Sequence, residues 1–582
     1  MRDCIVECGL CLSDTLWHLG LVNQKVICEF SCIVHLRAVV FFLLLSNVCW
    51  HSFASVLSGH DIQMRISSLL SLTILLLSVR SMFAQEGESA SASRVAPLFP
   101  AEELWEPTSV PDRIVLSWSE DPTTTMSVTW RTDTTVQRPV AEIAPAEGGP
   151  RFRNSSKSTD AESQSLTTDL GPSLRHTATF RDLKPASQYT YRVGDGTNWS
   201  EWADFETASA EADPFSFVYF GDAQNDVKSH WSRVVRRAFR DAPNASFFLH
   251  AGDLINGSER DAEWGEWFYA GGFIHRSTPC VATPGNHEFG RIGDTDQRRL
   301  SIHWQPQFAF PQNGPEGLKE SAFWFDLQGM RFVSLNSNEK IELQAQWLDK
   351  ILTGNPNQWT VLTFHHPIYS AKANRDNPQL RESWQPIIDK HHVDLVLQGH
   401  DHTYARSQLM TGDVNLESGV THQDENTGTV YVVSVSGPKM YELGRRPFMR
   451  RAAEDTQLFQ VITIDGLQLK YEARTAIGEL YDGFIIRKEK GARRSLIEQM
   501  PGTPEARRSE AERAANQKKK PKAEDVVKQW LQEMDRNKDK QLVRDEFLPE
   551  YKSYFGAIDT NKDGACSVDE LLKAALALGG AK

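Results

Sequence analysis

The chain has 582 residues, 40% hydrophobic and 24% charged, with a formal net charge of −13. That length exceeds one domain, and the core it can bury needs no disulfide staple. The acidic balance argues against nucleic-acid binding, which usually shows as a basic face.

Six of the eight cysteines (Cys4, Cys8, Cys11, Cys28, Cys32, Cys49) fall in the first 49 residues, and only Cys280 and Cys566 follow. No disulfide framework is therefore expected in the body of the chain. Two apolar runs occupy residues 38–45 and 66–79. The second follows Met64-Arg65 and precedes Ser81-Met82-Phe83-Ala84, which is the layout of an export signal. At about 14 residues it falls short of the ~20 that a membrane helix needs. The expected start is Met64, with residues 1–63 an over-extended reading frame, residues 1–84 as extension and signal, and residues 85–103 as linker. A secreted, periplasmic or cell-surface location follows, with no stable membrane span in the mature protein.

Residues 104–209 read as all-β. Residues 114–118 and 126–130 are strand-like and separated by Asp121-Pro122; residues 176–180 and 189–193 flank the turn at Lys184-Pro185. Short strands with regular turns predict a sandwich. The stretch LKPASQYTYRVGDG resembles a fibronectin type III domain, which implies packing and presentation rather than chemistry.

Residues 210–486 alternate buried-strand runs (215–220, 247–250, 332–335, 361–364, 395–397) with amphipathic stretches such as the helix predicted over 230–240. This predicts an α/β domain. Each of five short motifs follows an apolar run: Gly221-Asp222, Gly252-Asp253, Gly285-Asn286-His287-Glu288, His365-His366-Pro367 and Gly399-His400-Asp401-His402. Ligand groups gather beyond the carboxyl ends of strands in such sheets. Carboxylate, amide and imidazole together suit iron, zinc or manganese. Two ions about 3.5–4 Å apart can clamp the attacking and leaving oxygens of a phosphoryl displacement. A lone Gly-Asp is common, and a buried histidine is more often a core residue than a ligand. The ordered set of five carries the signal.

That set resembles the calcineurin-like metallophosphoesterases. The preceding sandwich, with HHPIYS and GHDHTYAR, is similar to the purple acid phosphatases in particular, over roughly residues 104–486. The resemblance implies a four-layer α/β/β/α catalytic domain. It implies Asp222, Asp253 and His402 on a first metal and Asp253, Asn286, His365 and His400 on a second, with Asp253 bridging. A metal-bound hydroxide would attack phosphorus, and His287 or His366 would protonate the leaving oxygen. The tyrosine that colours purple enzymes would stand at Asn256, and the histidine other members use would stand at Gln224. Either amide could ligate instead, so two divalent ions (Fe, Zn or Mn) and no purple chromophore are expected. Substrate-side histidines are also missing, and Arg375 is the candidate phosphate binder there. The implied activity is hydrolysis of phosphomonoesters, with a phosphate-ester small molecule as partner. A phosphodiesterase or nucleotide pyrophosphatase on the same centre is the alternative. The non-enzyme alternative is a calcium-binding surface protein with a degenerate metal site. No motif sets the oligomeric state.

Residues 487–524 are charged, with Lys518-Lys519-Lys520, and read as a solvated tether. Residues 525–582 contain two twelve-residue loops. The first offers Asp535, Asn537, Asp539, the Gln541 carbonyl and Glu546; the second offers Asp559, Asn561, Asp563, the Ala565 carbonyl and Glu570. They resemble a paired, all-α EF-hand domain, implying bound Ca²⁺ in a structural role. Gly564 stands at the sharp turn of the second loop, but Lys540 stands there in the first.

Overall fold

The computed structural model describes residues 100–580 apart from 293–294, 296, 413–425, 490–492, 514–522 and 548–554. The chain divides into two units, Met1–Pro97 and Leu98–Lys582, and all described residues belong to the second. The N-terminal cysteines, the export signal, nearly all of the 85–103 linker and the Lys518–Lys520 run lie outside the described residues.

Two four-stranded antiparallel sheets form the expected sandwich. One runs Asp112–Ser117, Met126–Thr132, Gly171–Phe180, Glu162–Thr168; the other runs Lys157–Asp160, Val140–Pro145, Gln188–Gly194, Ala203–Glu206. Met126–Thr132 is buried along its whole length, on polar as well as apolar positions. The polar face meets a second layer of protein. Thr129 Oγ1 donates to the Gln307 carbonyl at 2.6 Å, and Ser117 Oγ donates to that of Ala309 at 3.0 Å. Arg113 clasps the Asp261 carboxylate at 2.5 and 2.8 Å, and Arg131 and Arg175 approach the same group at 3.4 and 3.3 Å. Buried charge is tolerable only when paired in this way.

The α/β region contains two seven-stranded sheets. The first runs Cys280–Ala282, Phe248–His250, Phe215–Phe220, Leu458–Asp465, Gln468–Thr475, Leu480–Lys488, Arg494–Glu498. The second runs Phe323–Leu327, Met330–Ser334, Trp359–Thr363, Leu395–Gln398, Val430–Val433, Tyr404–Ser407, Met449–Ala453. The first three strands of the first sheet are parallel, as are the four from Met330–Ser334 to Val430–Val433 in the second. Alternate residues therefore serve two cores. Phe332, Val361, Leu395 and Val432 join the core shared with the first sheet; Val333, Leu362, Val396 and Tyr431 join another with the helices Ile341–Leu352 and Pro378–Lys390. Phe247 stacks on Phe217 at 4.6 Å and meets Phe332 edge-on at 5.8 Å, holding sheet to sheet. The Tyr219 hydroxyl receives the Gln398 N–H at 3.1 Å and donates to the Gln398 carbonyl, which stitches the strand ends of the two sheets together.

Two expectations change. Part of the stretch expected as a tether is a strand: Arg494–Glu498 pairs with Leu480–Lys488 and extends the sheet past residue 486. Leu496 packs against the core, a single apolar contact too short to stand out among charges. The helix expected at 230 begins earlier, as a π-helical turn Val227–Trp231 that continues into Ser232–Asp241.

The C-terminal part holds the helices Ala523–Met534, Phe555–Ile558 and Val568–Gly580. Leu542–Val543 and Ala565–Cys566 pair as a short antiparallel ladder between its two loops. Val527, Met534, Leu542, Cys566 and Leu571 form its core. Among the described residues, no helix is long and apolar enough to cross a membrane.

Candidate metal centre

Five strands end at one place. Phe215–Phe220, Phe248–His250 and Cys280–Ala282 deliver Asp222, Asp253 and Asn286; Trp359–Thr363 and Leu395–Gln398 deliver His365, His400 and His402. The turns are tight. A Cβ on Gly399 would sit 2.4 Å from Asp222 Oδ1, and Asp253, His400 and His402 all have positive φ (52°, 73° and 48°). Such strain persists only where surrounding contacts enforce it, and it concentrates at functional sites.

Two groups of possible ligands share Asp253: Asp253, His365 and His400, and Asp222, Asp253 and His402, each with ligand atoms within 4.8 Å of one another. His365 Nε2 lies 3.2 Å from Asp253 Oδ2 and 3.2 Å from Asn286 Oδ1. His400 Nδ1 faces His365 Nε2 at 3.2 Å. His402 Nε2 lies 3.1 Å from Asp222 Oδ2.

The surroundings set the tautomers. His365 Nδ1–H donates to the Ala251 carbonyl at 2.8 Å, and His402 Nδ1–H donates to that of Lys439 at 2.7 Å. Each Nε2 is left directed at the carboxylates, where it carries a proton when the ring is charged and offers its lone pair to a cation when the ring is neutral. Asp222 Oδ2 is buried and accepts no hydrogen bond, so it too fits a metal. Burial alone would lower the His365 pKa, but Asp253 and Asp222 outweigh it and hold it at about 9. Burial alone would raise Asp253; the His365 and His287 imidazoles keep it well below the ordinary range. Both directions express one attraction between this carboxylate cluster and positive charge.

The remaining expected residues are dispersed around this centre. Gln224 enters it: Nε2 lies 2.6 Å from Asp253 Oδ2 and 3.1 Å from His402 Nε2. Asn256 meets its neighbours through its backbone, donating its N–H to Glu263 at 2.7 Å and accepting from His287 Nδ1 at 2.6 Å. The His287 N–H donates to Asp253 Oδ1 at 2.9 Å. His366 is bonded through Nδ1 to Ser337 Oγ at 2.8 Å; burial and the His365 charge push its pKa down to about 3. Arg375 places Nη1 on the His400 carbonyl at 2.8 Å and on Asp401 Oδ1 at 3.0 Å.

Sequence reasoning gave no role to Glu288 or Asp401. Glu288 accepts from the N–H groups of Asp253, Leu254 and Gly285 at 2.8, 2.8 and 2.7 Å. Burial and the Asp253 charge push its pKa up to about 8. Asp401 accepts from Ser370 Oγ and from the N–H of Ala371 at 2.8 and 2.5 Å. Both stand inside the motifs, beside the ligands, and that adjacency was the available signal.

In the C-terminal loops the acceptor oxygens turn inward. Asp535 accepts from the N–H groups of Lys538 and Lys540 at 2.7 and 2.8 Å, and Glu570 from those of Thr560 and Ser567 at 2.9 and 3.0 Å. Asp559 Oδ1 is buried and accepts no hydrogen bond.

Comparison with known proteins agrees with this geometry. Residues 111–207 match the family "Purple acid Phosphatase, N-terminal domain", and residues 215–404 match "Calcineurin-like phosphoesterase". "Acid phosphatase type 7" of Mus musculus is 28% identical, over 59% of this chain and 81% of that protein. "Fe(3+)-Zn(2+) purple acid phosphatase 12" of Arabidopsis thaliana is 24% identical, over 45% of this chain and 59% of that one. The solved purple acid phosphatase from yellow lupin (Lupinus luteus) seeds shares the fold, with a TM-score of 0.57 and 20% identity over 66% of this chain and 75% of its own. Two family models thus match this chain in order, a purple acid phosphatase N-terminal domain and a calcineurin-like phosphoesterase domain, and its purple acid phosphatase homologues are phosphoester hydrolases.

Proposed function

We propose that this protein is an exported phosphatase that hydrolyses phosphomonoesters at a centre of two divalent transition-metal ions. The observation that carries the reading is the pair of ligand groups sharing Asp253. Asp222, Asp253 and His402 would hold one ion, with the Gln224 amide beside them; Asp253, Asn286, His365 and His400 would hold the other. Bound there, the ions supply an activated water and neutralise phosphoryl charge. Of the two histidines expected as leaving-group acid, His366 is buried and tied through Nδ1 to Ser337, so we assign the role to the part-buried His287. Asn256 fixes the His287 ring through Nδ1, which leaves Nε2 for proton transfer. Arg375, anchored by one nitrogen, offers the rest of its fork to phosphate.

The first ion would have no phenolate, and the amide oxygen expected from Gln224 or Asn256 is not turned to it: Gln224 presents Nε2 to Asp253, and Asn256 makes its contacts through its backbone. Fe(III) is disfavoured there, so no purple absorption is expected. Export rests on residues 64–84. The C-terminal loops are proposed to bind calcium as an EF-hand pair, supported by their inward acceptors, the short ladder between them and the orphaned Asp559 Oδ1.

Asn286→Ala and His365→Ala test the central reading. Loss of metal, with aryl phosphate hydrolysis reduced on the order of 100-fold, is the expected result. Retention of both metal and activity in either variant refutes it.

A further inference from the structure

The stretch expected as a charged tether stays on the α/β region well past the strand Arg494–Glu498. Residues 503–513 are fastened to it at successive points. Thr503 Oγ1 accepts from Arg451 at 3.2 Å, and Glu505 accepts from the Ala452 N–H at 2.9 Å. The Ala506 N–H donates to the Tyr481 hydroxyl at 2.9 Å, and the Ala506 carbonyl accepts from the Glu454 N–H at 2.9 Å. Arg508 pairs with Asp455 at 2.5 Å. Ser509 and Glu512 then exchange bonds between backbone N–H and side-chain oxygen at 2.8 and 3.2 Å, a capping box that opens the helical turn carrying Arg513.

Glu454 is where these residues meet the metal centre. Its buried carboxylate accepts from the Arg508 N–H at 2.9 Å, from Arg513 Nη2 at 3.0 and 2.8 Å, and from the Leu443 N–H at 2.7 Å. Arg513 Nη1 reaches Glu442 at 2.5 Å, so one guanidinium fork spans both glutamates. A carboxylate this deep is tolerable only with its charge matched, and Arg513 supplies the match. Glu442 and Leu443 end the loop 435–443, which grips two of the proposed ligands. Val435 bridges to Asp222, and the N–H groups of Ser436 and Gly437 donate to the Asp222 carbonyl at 3.1 and 2.6 Å. The Lys439 carbonyl accepts from His402 Nδ1 at 2.7 Å, and the Tyr441 N–H donates to the His402 carbonyl at 3.1 Å. Asp222 and His402 are the two ligands assigned to the first ion alone.

We propose that residues 503–513 are a strap that completes the first-ion site, with Arg513 and Glu454 as positioning residues for Asp222 and His402. This rests on the two-ion reading above and names the part of the chain on which half of that centre depends. The effect is carried by the backbone of residues 435–443, whose Lys439 carbonyl fixes the His402 ring through Nδ1. The second-ion ligands have another support: His365 Nδ1 donates to the Ala251 carbonyl at 2.8 Å, and His365 Nε2 lies 3.2 Å from Asn286 Oδ1. Loosening the strap therefore unbalances the centre, releasing the first ion and keeping the second.

The test compares full-length wild type with Arg513→Met, each stripped of metal and titrated with Zn²⁺, with urea unfolding to check the fold. Wild type is expected to take up two ions. Arg513→Met is expected to hold one ion as wild type does and to lose affinity for the other on the order of 10–100-fold. Should Arg513→Met fail to fold, Glu442→Gln decides; it opens only the exposed half of the clamp and is expected to weaken one ion at least about threefold. Amide exchange of the metal-free chains is followed by mass spectrometry in parallel. Residues 435–443 are expected to exchange at least about tenfold faster in the variant, with residues 359–365 unchanged. Wild-type affinity for both ions in the variant overturns the strap, and so does equal weakening of both. If wild type takes up fewer than two ions, the two-ion reading fails and exchange at residues 435–443 alone decides the strap. Exchange there at the wild-type rate overturns it.

Discussion

Glu288 illustrates how a residue that holds no metal position can govern the centre. It accepts three backbone N–H groups, two of them on the Asp253 turn and one on Gly285 before Asn286. Two ligand-bearing loops are thereby fixed by one carboxylate. Glu288→Gln keeps the volume but turns an amide N–H₂ toward donors. Metal titration of the stripped variant is expected to show affinity lowered on the order of 10–100-fold, the usual cost of losing an orienting partner. Unchanged affinity would assign Glu288 to packing alone. The six proposed ligands could be picked out because a chelating side chain follows each apolar run, behind a glycine in four of the five motifs. Lys439 was not legible, because a loop with no periodicity brings its carbonyl to His402.

At the scale of elements, strand ends explain most of what the sequence disclosed. Parallel strands with hydrophobic runs are easy to recognise, and their carboxyl ends share one edge of each sheet. Arg494–Glu498 was hidden because an edge strand with one packed leucine looks like its charged surroundings. The two twelve-residue C-terminal loops, proposed above to bind calcium, pose a different problem. Their spacing was evident, but backbone strain was not measurable before the structure gave Lys540 a φ of 65° where the second loop has Gly564 at 89°. A side chain in that conformation costs on the order of 1 kcal/mol, which glycine avoids. Lys540→Gly is therefore expected to tighten calcium binding at the first loop roughly fivefold. Calcium titration of the full chain measures this; an unchanged or weakened affinity would show that Lys540 is not the limiting feature.

At the scale of the whole molecule, the sandwich and the sheets share a core rich in rings, and some rings are histidines. His250 stacks on Phe220 at 5.3 Å and lies near Trp231 and Trp267, yet neither of its nitrogens has a hydrogen-bond partner. Burial, with His275 nearby, holds its pKa well below the ordinary value of 6.5. The unfolded chain therefore binds a proton below pH 6.5 that the folded chain refuses. The stability this group supports is present above that pH and lost as pH falls. His250→Phe is expected to be more stable than wild type by about 1 kcal/mol at pH 7.5, since it removes unpaired buried atoms. In urea denaturation the advantage should grow below pH 6.5, by at most about 1.4 kcal/mol per pH unit. A constant or shrinking advantage would mean the imidazole finds a proton partner in the fold.

Elemental analysis of the purified wild-type chain tests the central claim most directly. The account predicts about two divalent transition-metal ions per chain, shared across Asp253, in addition to any calcium. One transition-metal ion or none, after loading with Fe, Zn or Mn in excess, would contradict it.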